Sequence, residues 1–176
     1  MAPRCLEEKI DDKSMPLIQI VSCVILLIVA NGAPVIAAGL FKNHWKCPID
    51  GGHLFFDGRP WFGFSKTWRG IIAAMLATSL VAILLGNDWQ LGMFFAGLAM
   101  LGDLLASFAK RRMGIAVSGR AWLLDQLPES FLPVVFLRDA IGLSLMEVFI
   151  VVGAFTILDL ALSPVLYRLN IRRRPY

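Results

Sequence analysis

The stretch GDLLASFAKRRMG at 102–114 sets an acid, a hydroxyl and two bases at fixed intervals. Ser107, Lys110 and Arg111 follow Asp103 by 4, 7 and 8 residues, offsets that lie on one face of a helix. The stretch RAWLLDQLPESFLP at 120–133 adds Asp125 and Glu129, four apart and again on one face, with Pro128 between them. Pro128 removes a backbone donor and disturbs the local helix. A disturbed helix that lines a wet cavity is tolerated in a membrane, whereas one facing lipid is not. Carboxylates that converge at one depth repel each other unless a cation joins them, and hard oxygen ligands of this kind suit Mg²⁺. Asp103 and Asp125 are the first choices as ligands, with Asp50 and Asp57 as loop candidates.

A third stretch, PIDGGHLFFDGRPWFGFSKTWRG at 48–70, is built for turns and charge. Gly51, Gly52 and the Asp57-Gly58-Arg59 element allow positive φ, which close backbone approach to a phosphate chain needs. Arg59, Lys66 and Arg69 are placed to neutralise phosphates. Phe55, Phe56, Trp61, Phe62 and Phe64 either form a membrane-interface belt or stack on a base. The competing account of Asp103 is a structural ion pair with Lys110 or Arg111. A zinc site from His44, Cys47 and His53 lacks the usual ligand spacing. The three cysteines, Cys5, Cys23 and Cys47, imply no disulfide framework.

The elements that must carry these groups are apolar helices. Of the 176 residues, 57% are hydrophobic and 17% charged, against about 25% charged in a soluble domain. No charge occurs from Leu17 to Leu40 or from Ile71 to Asn87. Runs of this length read as membrane-spanning helices. The expected fold is all-α: a polytopic bundle of five transmembrane helices near 17–41, 70–87, 89–109, 121–138 and 143–164. It forms one domain over 1–176, with an N-terminal tail at 1–15 and long loops at 42–70 and 110–120. The leader MAPRCLEEKIDDKSM mixes acids with bases, unlike a signal peptide, so the first run reads as a retained span. Gly86-Asn87-Asp88 and Arg138-Asp139-Ala140 read as tight turns.

Thirteen of the seventeen Lys and Arg fall in the two long loops and the tail at 168–176. Five spans put all three on one side, which the positive-inside rule makes cytoplasmic. The expectation is a multi-pass protein of the cell (cytoplasmic or inner) membrane, with N-terminus out, C-terminus in and the active face cytoplasmic. The basic tail suits anionic lipid headgroups of the bilayer. No basic patch stands apart from the membrane edge, so nucleic acid is not an expected partner. The sequence is compatible with a homo-oligomer and does not specify one.

Asn31-x-x-Pro34, PIDGG, DGRPWFG, SKTWRG, GDLLASFAKRR and LLDQLPES occur in an order that resembles the CDP-archaeol synthase family, membrane cytidylyltransferases similar to the CDP-diacylglycerol synthases. The resemblance covers residues 31–133. It implies transfer of CMP from CTP to a lipid phosphate acceptor, 2,3-bis-O-(geranylgeranyl)-sn-glycerol 1-phosphate or a similar lipid, with release of pyrophosphate in phospholipid biosynthesis. It also implies Mg²⁺ dependence. The family's S-x-x-K-R block and following Asp match Ser107, Lys110, Arg111 and Asp125. On this reading Lys66, Ser107, Lys110 and Arg111 are catalytic. Asp50, Gly51, Gly52, Asp57, Arg59, Lys66 and Arg69 bind the CTP phosphates, and Asp103 and Asp125 hold the metal. The alternative from another class is a small ion or solute transporter that uses Asp103, Asp125, Glu147 and Asp159 as its pathway. One-sided polar loops argue against it, because a transporter needs access from both faces. A CDP-alcohol phosphotransferase would need an alanine-arginine pair after DGR, and PWFG stands there instead.

Overall fold

The structure is a computed structural model, and it describes residues 4–42, 44–116 and 122–168. Six helices follow one another: α1 (Arg4–Phe41), α2 (Trp68–Leu84), α3 (Trp89–Arg112), α4 (Trp122–Phe136), α5 (Arg138–Ile141) and α6 (Leu145–Arg168). The all-helical expectation holds for the described residues. Among the described residues, three segments suffice by length and apolar composition to cross a membrane: Pro16–Phe41, Trp89–Arg112 and Leu145–Leu162. The other two expected spans, α2 with 17 residues and α4 with 15, sit at and below the short end of the usual range.

Two details depart from the sequence reading. Residues 4–15, read as a tail, continue α1 as helix. Arg138-Asp139-Ala140, read as a tight turn, belongs to one helical turn, α5 (Arg138–Ile141). Gly142 ends it with φ 81°, and the Gly142 and Leu143 N–H groups both donate to the Arg138 carbonyl at 2.8 Å. The Gly86–Asp88 turn is as expected: Gly86 takes φ 80°, and the Asn87 N–H donates to the Ala82 carbonyl at 2.9 Å. The basic tail beyond Arg168 and the 117–121 segment lie outside the described residues.

Within a membrane, helices gain little from hiding apolar surface, so close packing of small residues has to hold them together. The buried face of α2 is Gly70, Ala74, Thr78 and Ala82, each four residues from the last. It meets Gly92, Ala96 and Ala99 of α3, and Ala30 of α1 joins the same cluster. A second cluster joins α1, α4 and α6 through Leu26, Leu27, Val134, Val148, Val151 and Phe155. Leu76, Leu80, Phe94, Phe149 and Ile157 point outward, an apolar rim suited to acyl chains.

The tightest point of the α2–α3 contact is Gly92. A Cβ there would stand 2.7 Å from Ala82 Cβ, Ser79 Cα and the Thr78 carbonyl oxygen. Gly97, on the same helix, has nothing within 4 Å of that position. Gly92→Val is therefore expected to destabilise the bundle by about 1–3 kcal/mol, whereas Gly97→Ala leaves stability unchanged or slightly raised. Thermal unfolding of the two variants in detergent, followed by circular dichroism, checks the difference.

Candidate active site

α3 and α4 carry the acids, and their backbones meet beside them. A Cβ on Gly102 would lie 2.2 Å from the Pro128 carbonyl oxygen and 2.7 Å from Glu129 Cα. Only glycine allows that approach. It sets Asp103, the next residue of α3, beside Glu129 of α4. Both line a polar cavity of about 230 Å³, together with Asn31 of α1 and Ser65, Lys66 and Thr67 at the entry to α2. Thr67 is the N-cap of α2, and its hydroxyl accepts from the Gly70 N–H at 3.3 Å. The positive end of the α2 dipole thus borders the cavity, a favourable place for an anion.

Two lysine–carboxylate pairs cross the site. Lys66 pairs with Asp103, and Lys110 pairs with Asp125. The Asp103–Lys110 and Asp103–Arg111 pairs weighed from sequence are replaced by these. The loop brings Lys66 back over α3, and Lys110 reaches α4. Glu129 lies within electrostatic reach of Asp103, Asp125, Asp159 and Lys66. Sequence reasoning noted Glu129 and gave it no role; only the Gly102 contact reveals its place on the cavity wall. Ser107, Lys110 and Arg111 are buried at the end of α3. The Arg111 Nη1 donates to the Ile115 carbonyl at 2.5 Å, and its buried Nε finds no acceptor among the described residues. An orphaned guanidinium donor beside a carboxylate and a lysine is suited to an anionic ligand.

The remaining loop candidates have other work. The Asp50 carboxylate accepts from the N–H groups of Gly52 at 3.1 Å, Phe62 at 3.1 Å and Gly63 at 2.8 Å. The Gly51 N–H donates to the Pro48 carbonyl, so the positive-φ Gly51-Gly52 turn closes on itself. Arg59 donates to the Arg111 carbonyl at 3.1 Å and the Arg112 carbonyl at 2.8 Å, capping α3. Arg69 donates to the Lys42 and His44 carbonyls. Asp57 pairs with Arg112, whose guanidinium lies over the rings of Phe55 and Phe108 at 4.6 and 4.9 Å. Phe55, Trp61 and Phe62 cluster on Phe108, while Phe56 and Phe64 are exposed. Asp50, Asp57, Arg59, Arg69 and the glycine pair therefore build the loop's framework; none of them lines the cavity.

Among the described residues, no three His, Cys, Asp or Glu side chains gather closely enough to form a protein-only metal cage, and His44, Cys47 and His53 accordingly make no zinc site. A Mg²⁺ ion needs less, because it commonly binds one or two carboxylates and completes its shell with phosphate oxygens and water. Asp103 and Glu129 on one wall, with Asp125 nearby, fit that requirement. The Asp103 and Asp125 carboxylates each already hold a cation, the ammonium of a lysine.

The family described as CarS-like, CDP-archaeol synthase, matches this sequence over residues 17–90 and 86–176. The chain belongs to that family. The CDP-archaeol synthase of Hyperthermus butylicus is 44% identical over 110 residues, covering 59% of this chain and 62% of the relative. That of Staphylothermus marinus is 38% identical over 106 residues, 57% of each. The matched stretch thus spans less than two thirds of either relative. A solved structure of an intramembrane enzyme for archaeal membrane lipids biosynthesis superposes with a TM-score of 0.65 at 30% identity, over 80% of this chain and 90% of that one. The CDP-archaeol synthase resemblance drawn from the motifs is therefore borne out as to family, and so is the all-helical membrane fold.

Two outcomes test this geometry. Gly102→Ala is expected to force α4 away from α3 and to lower any activity of the site about 100-fold or more, with a smaller loss in thermal stability. Steady-state rates and melting curves on one preparation separate the effects. The second concerns Asp50. Burial alone would raise its pKa, but donation from Gly63, Gly52 and Phe62 outweighs this and holds it below its ordinary value of 3.8. A depressed carboxylate adds stability above its unfolded pKa and loses it as pH falls through the folded one. The protection factors of the Gly52, Phe62 and Gly63 amides, which correct for the intrinsic pH dependence of exchange, are expected to hold from neutrality down to about pH 4 and to fall below it. Asp50→Asn should exchange faster already at neutral pH.

Proposed function

We propose that this chain is a membrane cytidylyltransferase that joins CTP to a lipid phosphate. A lipid phosphate oxygen attacks the α-phosphorus of CTP, the bond to the β-phosphate oxygen breaks, and CDP-lipid and pyrophosphate leave. The observation that carries the reading is the cavity in which Asp103, Glu129 and Lys66 meet the N-terminus of α2. Membership of the CDP-archaeol synthase family supports the reaction, and the organisms of the relatives support an archaeal ether lipid as acceptor.

Reactions of this type need positioning and charge neutralisation more than covalent catalysis. Lys66 sits at the cavity with the α2 N-terminus behind it, so it meets an incoming phosphate and leaves Asp103 to do so. Lys110 and Arg111 lie at the end of α3 and offset charge on the triphosphate and on the leaving pyrophosphate. Ser107, buried on the same face, keeps that end of the helix polar. Mg²⁺ held by Asp103 and Asp125, with Glu129 beside them, would supply further charge neutralisation on the phosphates. A lipid phosphate is ionised near neutral pH, so no strong general base is required. The loop and tail basic residues favour a cytoplasmic active face, where CTP is available. A transporter finds no support among the relatives.

The test is purified protein with labelled CTP, Mg²⁺ and a lipid phosphate, ether-linked and ester-linked acceptors in parallel. CDP-lipid and pyrophosphate are expected only with both substrates present, with the ether acceptor preferred. Asp103→Asn and Asp125→Asn should each lower turnover about 100-fold or more without unfolding the bundle. Near-full activity in both variants would remove the metal and site assignment.

A further inference from the structure

Two apolar grooves open on the outside of the bundle. One lies between α1 and α6, has a volume of about 350 Å³ and is floored by Ala77 of α2 and Phe155 of α6. The other lies between α3, α4 and α6 and is larger, about 610 Å³, with Leu127 and Phe131 on its wall. Size favours the second. Continuity favours the first: Asn31 and Val35, one turn apart on α1, line both the α1–α6 groove and the polar cavity. The α3–α4 groove has no lining residue in common with that cavity.

We propose that the α1–α6 groove binds a hydrocarbon chain of the lipid phosphate acceptor, with Asn31 and Val35 as the sill over which the chain joins its headgroup in the cavity. The assignment rests on the cytidylyltransferase reading above. A lipid phosphate is one molecule with an anionic end and apolar chains, so its two subsites must adjoin. Of the two grooves, the α1–α6 groove meets that condition. Its outer edge is formed by Ile36 and Leu162, both exposed, so a chain enters sideways from the acyl region without crossing a polar layer. Small side chains keep it open: Gly32 has nothing within 4 Å of a Cβ position, and Ala77 leaves the floor low. Asp159 also lines the groove, held by Gln126 of α4, whose Nε2 donates to its carboxylate at 3.1 Å. A carboxylate there repels an anionic headgroup and leaves Lys66 as the attractive position for it, which fixes the direction of the bound lipid.

The experiment uses the full chain in lipid nanodiscs with a long-chain glycerol ether phosphate bearing a diazirine on one chain. Cross-links are mapped by mass spectrometry, and the KM of the unlabelled lipid and that of CTP are measured alongside. Saturable labelling of α1 and α6 around Ile36, Phe155 and Leu162 is expected. Gly32→Leu and Ala77→Leu, which fill the groove, should abolish that labelling and raise the lipid KM about tenfold, while the KM for CTP and the rate with a short-chain, water-soluble glycerol phosphate ester stay unchanged. Leu127→Trp, in the other groove, should alter none of these. Labelling on α3 and α4, sensitivity to Leu127→Trp, or no saturable labelling at all would overturn the proposal. If α1 and α6 are labelled but CTP is not consumed, the groove assignment stands and the cytidylyltransferase reading falls.

Discussion

The contact of two backbones at Gly102 governs the polar half of this molecule. Pro128 and the start of Glu129 occupy the space that any side chain at 102 would need. Two helices that approach this closely must place their flanking acids side by side, and in a region poor in water such acids repel strongly. Lys66 and Lys110 answer that repulsion from opposite directions, one from the loop and one from α3 itself. The loop between α1 and α2 is therefore part of the site's charge balance as well as its cover. Breaking either pair would leave a partly buried charge unmatched, which costs more than the pair itself contributes.

The basic residues divide into two groups by what they touch. Arg59, Arg69 and Arg112 donate to carbonyls at helix ends or turns, or lie on aromatic faces. Their charge is spent in holding the framework. Lys66, Lys110 and Arg111 face carboxylates, and a carboxylate can exchange a lysine for a metal ion while the lysine turns to a phosphate. A guanidinium forks between fixed carbonyls better than an ammonium does, and an ammonium on a flexible stem changes partner more easily. The distribution of arginine and lysine over the two groups follows that difference, with Arg111 as the exception that keeps an unfilled donor near the site.

Much of this was legible in the sequence, for identifiable reasons. Helical periodicity placed Asp103, Ser107, Lys110 and Arg111 on one face, and uncharged runs located α2 and the C-terminal end of α1 to within a few residues, while α1 begins thirteen residues before its uncharged run. The roles of the loop residues were not legible. Asp50, Asp57 and Arg59 have the same types and spacing whether they bind a ligand or close a turn, and their hydrogen bonds add a framework role that spacing does not reveal. The role of Glu129 is not legible from its own neighbourhood, because its place on the cavity wall follows from a glycine 27 positions earlier in the chain. The partner of Lys66 was likewise invisible, since loop closure is set by the Asp50 turn and the Phe108 cluster together. α5 escaped because one helical turn ended by a left-handed glycine has the composition of a plain reverse turn.

Arg59 and Arg112 interlock. Arg59 of the loop terminates α3 by holding its last carbonyls, while Arg112, the last residue of α3, grips the loop through Asp57 and the Pro60 carbonyl. Neither partner can let go alone. Lifting the loop would strip the final turn of the helix that bears Lys110 of its Arg59 cap. Opening of this loop and fraying of the last turn of α3 are thus linked events.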